Sequence, residues 1–316
     1  MRKIALEEHC LFPELEQYWA ATVEDLAPTL RTAVHGRLSD FGEQRLSVMD
    51  AAGIAMALLS VAGPGVQVEP DVATAVRVAR QVNDSLARKV QRRPDRYAGF
   101  AHLPMQDPAA AAAELERCVT QLGMKGAMID GQTHGRYLDD EEFFVFWERA
   151  EALDVPVYLH PADAEAPYAG WRGRKELTRA TWGWTVETAG HALRMVFGGT
   201  FDRYPRARLI LGHMGETLPY MLWRLDSRSK LYAGYSLSLP PSGFIRRNIA
   251  VTTSGQCAIE PLTCALSAMG EDNVLFSVDY PFEDTQTAST WIDGAEISEA
   301  VRAKICHANA TKLLRL

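Results

Sequence analysis

Short apolar runs alternate along the chain with longer stretches in which apolar residues recur at helical spacing. The apolar runs predict eight strands, at residues 3–6, 56–61, 97–103, 126–129, 155–159, 208–211, 248–252 and 274–278. The stretches between and after them predict helices at residues 71–92, 108–122, 141–153, 185–201, 216–228, 259–269 and 298–314. Eight alternations at this spacing predict an α/β protein, a (β/α)8 TIM barrel built on a closed parallel sheet.

The predicted barrel accounts for the whole chain, so we expect a single domain over residues 1–316. The sequence contains no linker rich in glycine, serine or proline, no low-complexity tract and no clear internal repeat. Residues 23–40 are predicted as a loop. This loop is the main insertion and is placed to cover the mouth of the barrel.

The composition of the 316 residues is that of an ordinary globular protein, with 47% hydrophobic and 23% charged residues. The net charge is −7 and the basic residues are scattered, which argues against a nucleic-acid partner. No apolar run approaches the roughly 20 residues that span a bilayer, so no membrane partner is expected. Glu7 and Glu8 interrupt any signal-peptide core, and the five cysteines form no CxxC pair. We therefore expect a cytoplasmic protein with reduced thiols.

Side chains that bind metals stand where several predicted strands end. Glu7 and His9 follow the first strand, and because alternate strand residues share a face, both point the same way. The fifth, sixth and eighth strands lead into His160, His213 and Asp279. Active sites of such barrels lie at the C-terminal ends of the strands, so these five side chains are expected to converge on one rim. Carboxylate and imidazole groups without cysteine suit Zn, Mn or Fe.

Two further histidines are less suited to this role. His191 lies in the middle of a predicted helix among apolar residues, so we expect it to pack in the core or behind the site. His102 lies at the end of the third strand, from where it could approach the same rim, but we do not assign it to the site.

Several longer motifs resemble one family along essentially the whole chain. They are ALEEH at the start, RPDRYAGFAHLPMQDP, LDVPVYLHP, LILGHMGETLPYMLWRLD, TTSG, VLFSVDYPFE and NATKLLRL at the end. Together they resemble the metal-dependent benzoate decarboxylases of the amidohydrolase superfamily, of the γ-resorcylate and 2,3-dihydroxybenzoate type. The resemblance implies an amidohydrolase-like barrel.

The resemblance also implies a metal centre. Glu7 of ALEEH, His160 of YLHP and Asp279 of VDYPFE match the ligands of one divalent metal ion, Mn or Zn, and no organic cofactor is implied. His9 takes the position of a histidine on or near the metal in the resorcylate type. Most of the wider superfamily has HxH at this point, so the Glu7-x-His9 pattern indicates the benzoate decarboxylase branch.

The catalytic groups implied by the family are Asp279, His213 and Glu216. In this chemistry the ring carbon that bears the carboxylate is protonated before CO2 leaves, and Asp279 is the implied acid. His213, oriented by Glu216, would polarise a substrate oxygen or assist proton movement.

The implied substrate is a small aromatic acid, and contacts with it are assigned to Arg224 of MLWR, Phe282 of YPFE and Asp130. Asp130 stands where the family has asparagine, and Tyr280 is of the 2,3-dihydroxybenzoate type although His9 is of the resorcylate type. The resemblance therefore leaves the substituents on the ring open.

The implied activity is non-oxidative decarboxylation of an ortho-hydroxybenzoate, of the 2,6- or 2,3-dihydroxybenzoate or salicylate type, with carboxylation of phenols as the reverse reaction. Family members are commonly homodimers or homotetramers, and we expect the same here. Two alternatives stay open at the level of sequence. One is a metal-dependent hydrolase of a lactone or amide, with Asp279 as base. The other is a catalytically silent barrel that acts as a binding or assembly protein.

Overall fold

The apolar runs of the sequence form parallel strands around a barrel in the computed structural model, which describes residues 1–24, 26–166, 168–232 and 236–316. The strands are β1 Lys3–Cys10, β2 Ile54–Val61, β3 Tyr97–Gly99, β4 Ala101–His102, β5 Ala127–Asp130, β6 Val157–His160, β7 Leu209–Leu211, β8 Ile249–Thr252 and β9 Val274–Leu275. Each strand pairs in parallel with the next, in two runs, β1 to β3 and β4 to β9. Every predicted strand is present.

Backbone hydrogen bonds join these two runs into one barrel wall. Only Phe100 separates β3 from β4, and its N–H donates to the carbonyl of Leu59 on β2 at 3.0 Å. At the other seam, the N–H of His9 donates to the carbonyl of Tyr280 at 2.8 Å. The N–H of Asp279 donates to the carbonyl of Glu7 at 3.2 Å. The first strand therefore adjoins the chain that follows β9, which confirms the predicted barrel.

The first strand is longer than the sequence predicted. It ends at Cys10 rather than at Leu6, and all of its eight residues are buried. The prediction stopped at Leu6 because two carboxylates and an imidazole interrupt the apolar pattern there. These polar groups lie inside the strand because each meets polar partners at the barrel mouth.

Helices cover the outside of the barrel. They are Glu16–Thr22, Pro28–Ser39, Glu43–Ala51, Val72–Arg92, Pro108–Leu122, Phe144–Leu153, Gly183–Phe197, Thr200–Arg203, Leu218–Ser229, Pro241–Asn248, Ile259–Met269, Thr285–Gly294, Glu299–Ala303 and Asn309–Leu314. The segment Lys304–Ala308 between the last two is a π-helix. No helix within the described ranges is long and apolar enough to cross a membrane.

The prediction of a loop at residues 23–40 is wrong for most of this range, because Pro28–Ser39 form a helix. Val34 and Leu38 are the buried residues of this helix, too few to give a clear apolar period in the sequence. The carbonyl of Leu38 accepts a hydrogen bond from the N–H of Leu11 at 3.0 Å. The helix is thereby fixed beside the C-terminal end of β1. Asp25 lies outside the described residues.

Two apolar clusters form the core. The larger lies between the strands and the surrounding helices. The smaller fills the inside of the barrel with Ile4, Leu6, Leu58, Phe100, Met128, Tyr158, Ile210 and neighbouring side chains. Ala310 and Leu314 of the C-terminal helix join the inner cluster and pack against it from the N-terminal end of the strands. The opposite end, where the strands terminate, remains open for polar side chains.

Candidate metal and active site

Four predicted ligands meet at the C-terminal mouth of the barrel. One ligand atom from each of Glu7, His9, His160 and Asp279 lies within 4.8 Å of the other three. The Nε2 atom of His160 is 3.3 Å from Oε1 of Glu7. The Nε2 atom of His9 is 3.3 Å from Oδ1 of Asp279. The structure therefore brings these four together, as the sequence predicted.

The atoms that face each other in this cluster lack hydrogen-bond partners. Oε1 of Glu7, Nε2 of His9 and Oδ1 of Asp279 are all buried, and no described atom satisfies them. Burying polar atoms unpaired is costly, about 1–3 kcal/mol each and more for charged groups. A divalent cation bound between them would satisfy all three at once. The donor set of two carboxylates and two imidazoles fits Zn or Mn.

Glu7 is held by its other oxygen. Oε2 accepts hydrogen bonds from the hydroxyl of Tyr158 and, at 2.5 Å, from that of Ser254. Both hydroxyls also contact Oγ1 of Thr252 at 2.9 Å. Gly212 leaves room for this arrangement, because a Cβ there would lie 2.9 Å from Oε2 of Glu7. The carboxylate is thus fixed with Oε1 aimed into the cluster.

The two histidines of the cluster are oriented from behind. Oγ of Ser60 lies 3.2 Å from Nδ1 of His9. Oδ1 of Asp130 lies 3.1 Å from Nδ1 of His160, an ion-pair distance at which neither atom makes a hydrogen bond to another described residue. Gln67 in turn holds Asp130, since its Oε1 accepts from the Asp130 N–H at 2.7 Å and its Nε2 donates to the Asp130 carbonyl at 3.1 Å. Each Nε2 is therefore left facing the cluster, which is the usual arrangement behind a metal-binding histidine.

Asp279 occupies a sharp turn after β9. Its φ is 81°, in the left-handed region that non-glycine residues rarely adopt. Its carbonyl accepts from the N–H groups of Phe282 at 2.9 Å and Glu283 at 3.1 Å. Such backbone strain is typical of functional positions, where the surrounding structure maintains it.

His213 and Glu216 form a pair beside the cluster. Nδ1 of His213 lies 2.6 Å from Oε1 of Glu216, and Nε2 of His213 lies 3.7 Å from Oδ2 of Asp279. His213–Glu216 is a left-handed turn, with φ between 49° and 78° at all four residues. The helix predicted to begin at Glu216 begins instead at Leu218. The turn is what points both side chains into the mouth.

The charges of the cluster shift the pKa values of its members. Burial by itself lowers the pKa of His9, but the adjacent Asp279 and Glu7 carboxylates outweigh burial and raise it to about 10. Burial raises the pKa of Glu7, but the charge of His213 and the contact with His9 leave it well below the usual value. The pKa of His213 is raised well above its ordinary value, because Glu216, Glu7 and Asp279 outweigh its burial. The carboxylates of the mouth therefore favour positive charge at His9 and His213.

The residues predicted to contact substrate lie at different depths. Phe282 stands at the mouth, 47% exposed, with its ring 5.7 Å from the ring of His9. Asp130 is 2% exposed and lies behind His160. Arg224 is exposed on the helix Leu218–Ser229, and among the described residues it has no hydrogen bond or ion pair.

Several residues that support the site were not singled out from the sequence. Tyr158 and Ser254 are the clearest. Tyr158 lies two residues before His160 on β6, so strand alternation places both on one face. Ser254 follows the end of β8 in a turn, and its only signal in the sequence is its place in the TTSG motif. His191 is buried in a helix, and its Nε2 accepts from the N–H of Leu138 at 2.8 Å, so it packs in the core as expected.

Comparison with known proteins identifies the family. The amidohydrolase family profile matches residues 12–316, and the chain belongs to this family. It is 42% identical to γ-resorcylate decarboxylase of Rhizobium radiobacter over 99% of this chain and 98% of that protein. The solved structure of 2,6-dihydroxybenzoate decarboxylase with 2,6-dihydroxybenzoate has a TM-score of 0.94, 39% identity and complete coverage of both chains.

A second solved structure carries a metal. Dihydroxybenzoic acid decarboxylase from Polaromonas sp., with bound manganese and the inhibitor 2-nitroresorcinol, matches at a TM-score of 0.92 and 40% identity. It covers 100% of this chain and 97% of that one. These relatives confirm the branch of the amidohydrolase superfamily that the motifs indicated.

Proposed function

We propose that this protein is a metal-dependent, non-oxidative decarboxylase of ortho-hydroxybenzoates. One observation carries the proposal. The unpartnered atoms of Glu7, His9 and Asp279 converge beside the His213–Glu216 pair, in a chain that aligns end to end with γ-resorcylate decarboxylase. Metal-binding groups, a proton donor and an oriented histidine are what this reaction needs.

Glu7, His9, His160 and Asp279 would hold one divalent ion, Mn or Zn, and the manganese bound in the Polaromonas relative supports the first. When bound, such an ion supplies positive charge that neutralises a substrate carboxylate and a neighbouring phenolate oxygen. Ser60 and Asp130 would orient the two imidazoles, and their positions 3.2 Å and 3.1 Å from the Nδ1 atoms support this. No organic cofactor is part of this proposal.

An aromatic acid fits the remaining walls of the mouth. The ring of Phe282 stands beside His9 and offers an apolar face to a planar substrate. Arg224 is assigned to the substrate carboxylate on the basis of its MLWR motif. Asp130 is assigned primarily to positioning His160, because it is nearly fully buried behind that ring. A substrate contact by Asp130 remains a prediction.

The chain's own groups can move the proton. Asp279, as the acid, gives a proton to the ring carbon that bears the carboxylate, and a new C–H bond forms there. The C–C bond to the carboxylate then breaks, CO2 leaves, and the electron pair of that bond restores the aromatic ring. His213 stands 3.7 Å from Oδ2 of Asp279 and can return a proton to it from solvent. Glu216 keeps the imidazole in the orientation this requires.

The decisive experiment is a substrate panel on the metal-loaded enzyme. Salicylate, 2,6-dihydroxybenzoate and 2,3-dihydroxybenzoate are incubated separately, and CO2 and the phenol are measured. We expect at least one to be decarboxylated and the corresponding phenol to be carboxylated at high bicarbonate. A panel of lactones and amides tests the hydrolase alternative. Formation of ring-opened acids without release of CO2 would support that alternative. A protein that binds no stoichiometric metal and turns over neither panel would be a silent barrel.

We also propose that the protein is a homodimer or homotetramer. Four large side chains on and after the helix Leu218–Ser229 are exposed, namely Tyr220 at 81%, Trp223 at 77%, Leu231 at 69% and Tyr232 at 74%. Clustered exposed aromatic residues are typical of protein–protein contacts. Light scattering coupled to gel filtration gives the mass, and Trp223→Glu is expected to shift it toward the monomer. A monomeric wild-type protein would contradict the proposal.

A further inference from the structure

A second cavity lies at the end of the barrel opposite the metal-binding cluster. Its volume is about 410 Å³. Pro156, Arg208, Ala250 and Leu275 line it from the N-terminal ends of strands β6 to β9 or from the residues just before them. The last helix closes its other side with Lys312 and Leu313. No residue of this cavity belongs to the site at the mouth.

The cavity is strongly basic. Five cationic side chains line it, Arg206, Arg208, Arg247, Lys312 and Arg315, against the two carboxylates Asp154 and Asp272. Both carboxylates are already neutralised by ion pairs, Asp154 with Arg315 and Asp272 with Lys304 at 2.8 Å. Counted over the lining side chains alone, five positive and two negative charges leave an excess of three positive charges.

Most of the cationic side chains that line the cavity contact another residue. Arg247 donates from Nη2 to the carbonyl of Phe201 at 2.7 Å. Arg206 lies 3.7 Å from Glu151. Glu151 therefore compensates the charge of Arg206, whereas a carbonyl leaves the charge of Arg247 uncompensated.

Arg208 differs from them. Its Nε is buried without a hydrogen-bond partner, and among the described residues the guanidinium forms no ion pair. Burial lowers the pKa of this arginine, with no carboxylate to oppose the shift. Its backbone is fixed, because its carbonyl accepts from the N–H of Val157 at 2.9 Å. The guanidinium is therefore half-buried, with its Nε shielded from water and no counter-ion beside it, and an anion that reached it would relieve this cost.

We infer that this cavity is a binding site for a small phosphate-bearing anion, with Arg208 as its central ligand. A guanidinium presents parallel N–H donors that match the oxygens of a phosphate group. The excess of three positive charges suits an anion with two or more negative charges. The volume accommodates inorganic phosphate and leaves space for a small phosphate ester.

The inference is tested with inorganic phosphate on the metal-loaded enzyme at constant ionic strength, with chloride as the compensating anion. Binding is measured by titration calorimetry, and the melting temperature is measured in the same buffers. At one hundred times Kd, bound phosphate should raise the melting temperature by about 4 °C for a chain of this size. Arg208→Gln should weaken binding at least about tenfold, because it removes the charged donor.

Two further variants are measured in the same way, one inside the cavity and one outside it. Lys312→Gln lies at an exposed rim position, so it should fold normally and weaken phosphate binding by a smaller factor, about threefold. Arg92→Gln removes an exposed charge outside the cavity and should bind phosphate like the wild type. Turnover is assayed alongside, because phosphate bound at the active site would inhibit and would do so equally in Arg208→Gln. No binding above the chloride control, or equal binding by wild type, Arg208→Gln and Lys312→Gln, would overturn the inference.

Discussion

Oδ1 of Asp130 lies 3.1 Å from Nδ1 of His160, and the other ring nitrogen lies 3.3 Å from the unpartnered oxygen of Glu7. The two residues are register partners on adjacent strands β5 and β6, so the sheet itself aligns them. A carboxylate that accepts a hydrogen bond from an imidazole fixes the tautomer and makes the other nitrogen a stronger ligand. Asp130 is within reach of such a bond, so we expect the affinity of the proposed metal site to depend in part on a residue outside the ligand set.

Replacing Asp130 tests this relationship. Asp130→Asn keeps the size of the side chain but weakens the acceptor behind His160. We expect metal affinity to fall about 10–100-fold while the fold is retained. Equilibrium dialysis against buffered metal gives the affinity. The control is Asp95→Asn at an exposed position, which should bind metal like the wild type. Equal affinities in both variants would mean that Asp130 does not position His160.

Replacing the proposed acid separates binding from chemistry. Asp279→Asn cannot donate the proton, so turnover at saturating metal and substrate should fall by about 10²–10⁴-fold. Metal content is measured on the same sample, because Asp279 is also a proposed ligand. If the variant holds metal and turns over near the normal rate, the proton comes from another group, and His213 is the first to test.

A methyl group at Gly212 should damage the metal site through sterics alone. The added Cβ of Gly212→Ala would lie 2.9 Å from Oε2 of Glu7 and 3.1 Å from Oγ of Ser254. Because φ at this residue is −68°, alanine is compatible with the backbone. We expect Glu7 to be displaced and metal affinity to fall at least about tenfold, as measured by dialysis.

The matched control for that substitution is Gly190→Ala. Gly190 lies within the helix Gly183–Phe197, and no atom lies within 4 Å of its added Cβ. Alanine should stabilise the helix by about 0.5–1 kcal/mol and leave metal affinity unchanged. A Gly212→Ala protein with normal metal affinity would show that Glu7 has room to move.

The ortho-hydroxyl prediction concerns the substrate. If carboxylate and phenolate oxygens are recognised together, 2-hydroxybenzoate should be decarboxylated faster than 4-hydroxybenzoate by orders of magnitude. The para isomer keeps the electron donation of the hydroxyl, so the comparison isolates recognition of the pair. Each ~1.4 kcal/mol by which the activation free energies of the two isomers differ corresponds to a factor of ten in kcat/KM. Equal rates for the two isomers would rule out paired recognition.

The stability of the protein should depend on pH through His191. Burial lowers the pKa of this histidine to about 3, and its Nε2 accepts a hydrogen bond, so the folded protein holds it neutral. The unfolded chain takes up the proton below about pH 6.5, so the stability that His191 contributes is present above that pH. It is lost as the pH falls toward 3, at up to about 1.4 kcal/mol per pH unit.

His191→Gln keeps an acceptor but does not titrate, so its unfolding free energy should decline less steeply between pH 6.5 and 4. Urea unfolding at a series of pH values measures this slope. Burial also lowers the pKa of His102, to about 4. His102→Gln is therefore a second test of the same pH dependence. A His191→Gln slope equal to that of the wild type would contradict the argument.

The sequence predicts the parts of this structure that rest on local chemistry. The helix Pro108–Leu122 is found with its observed bounds, because Asp107 caps its start and Gly123 adopts φ of 74° at its end. The cluster of the candidate ligands Glu7, His9, His160 and Asp279 is found because these residues follow apolar strands at one end of a barrel. Whether they bind metal, and whether Arg224 reaches substrate, stays a prediction.

Other features depend on contacts that the local sequence does not carry. The left-handed turn His213–Glu216 would not be expected from its residue types, since three of the four are not glycine. Its geometry is held by the surrounding barrel, including the bond from the N–H of His213 to Oγ of Ser254 at 3.2 Å. The contact of Tyr158 with Glu7 joins β6 to β1, strands distant in sequence, and the basic cavity likewise joins strand ends to the last helix.

The seam between the first strand and the chain after β9 also sets an order for assembly. At this seam Oε1 of Glu8 accepts from the N–H of Val278, a residue 270 positions later. Glu7 and His9 lie on one side of the seam and Asp279 on the other. The proposed metal site is therefore complete only after nearly the whole chain has been synthesised, and closing so long a loop carries a large entropy loss. If these residues bind the ion, its uptake reports that the last strand has docked, and a chain that stops short of Asp279 should fail to retain it.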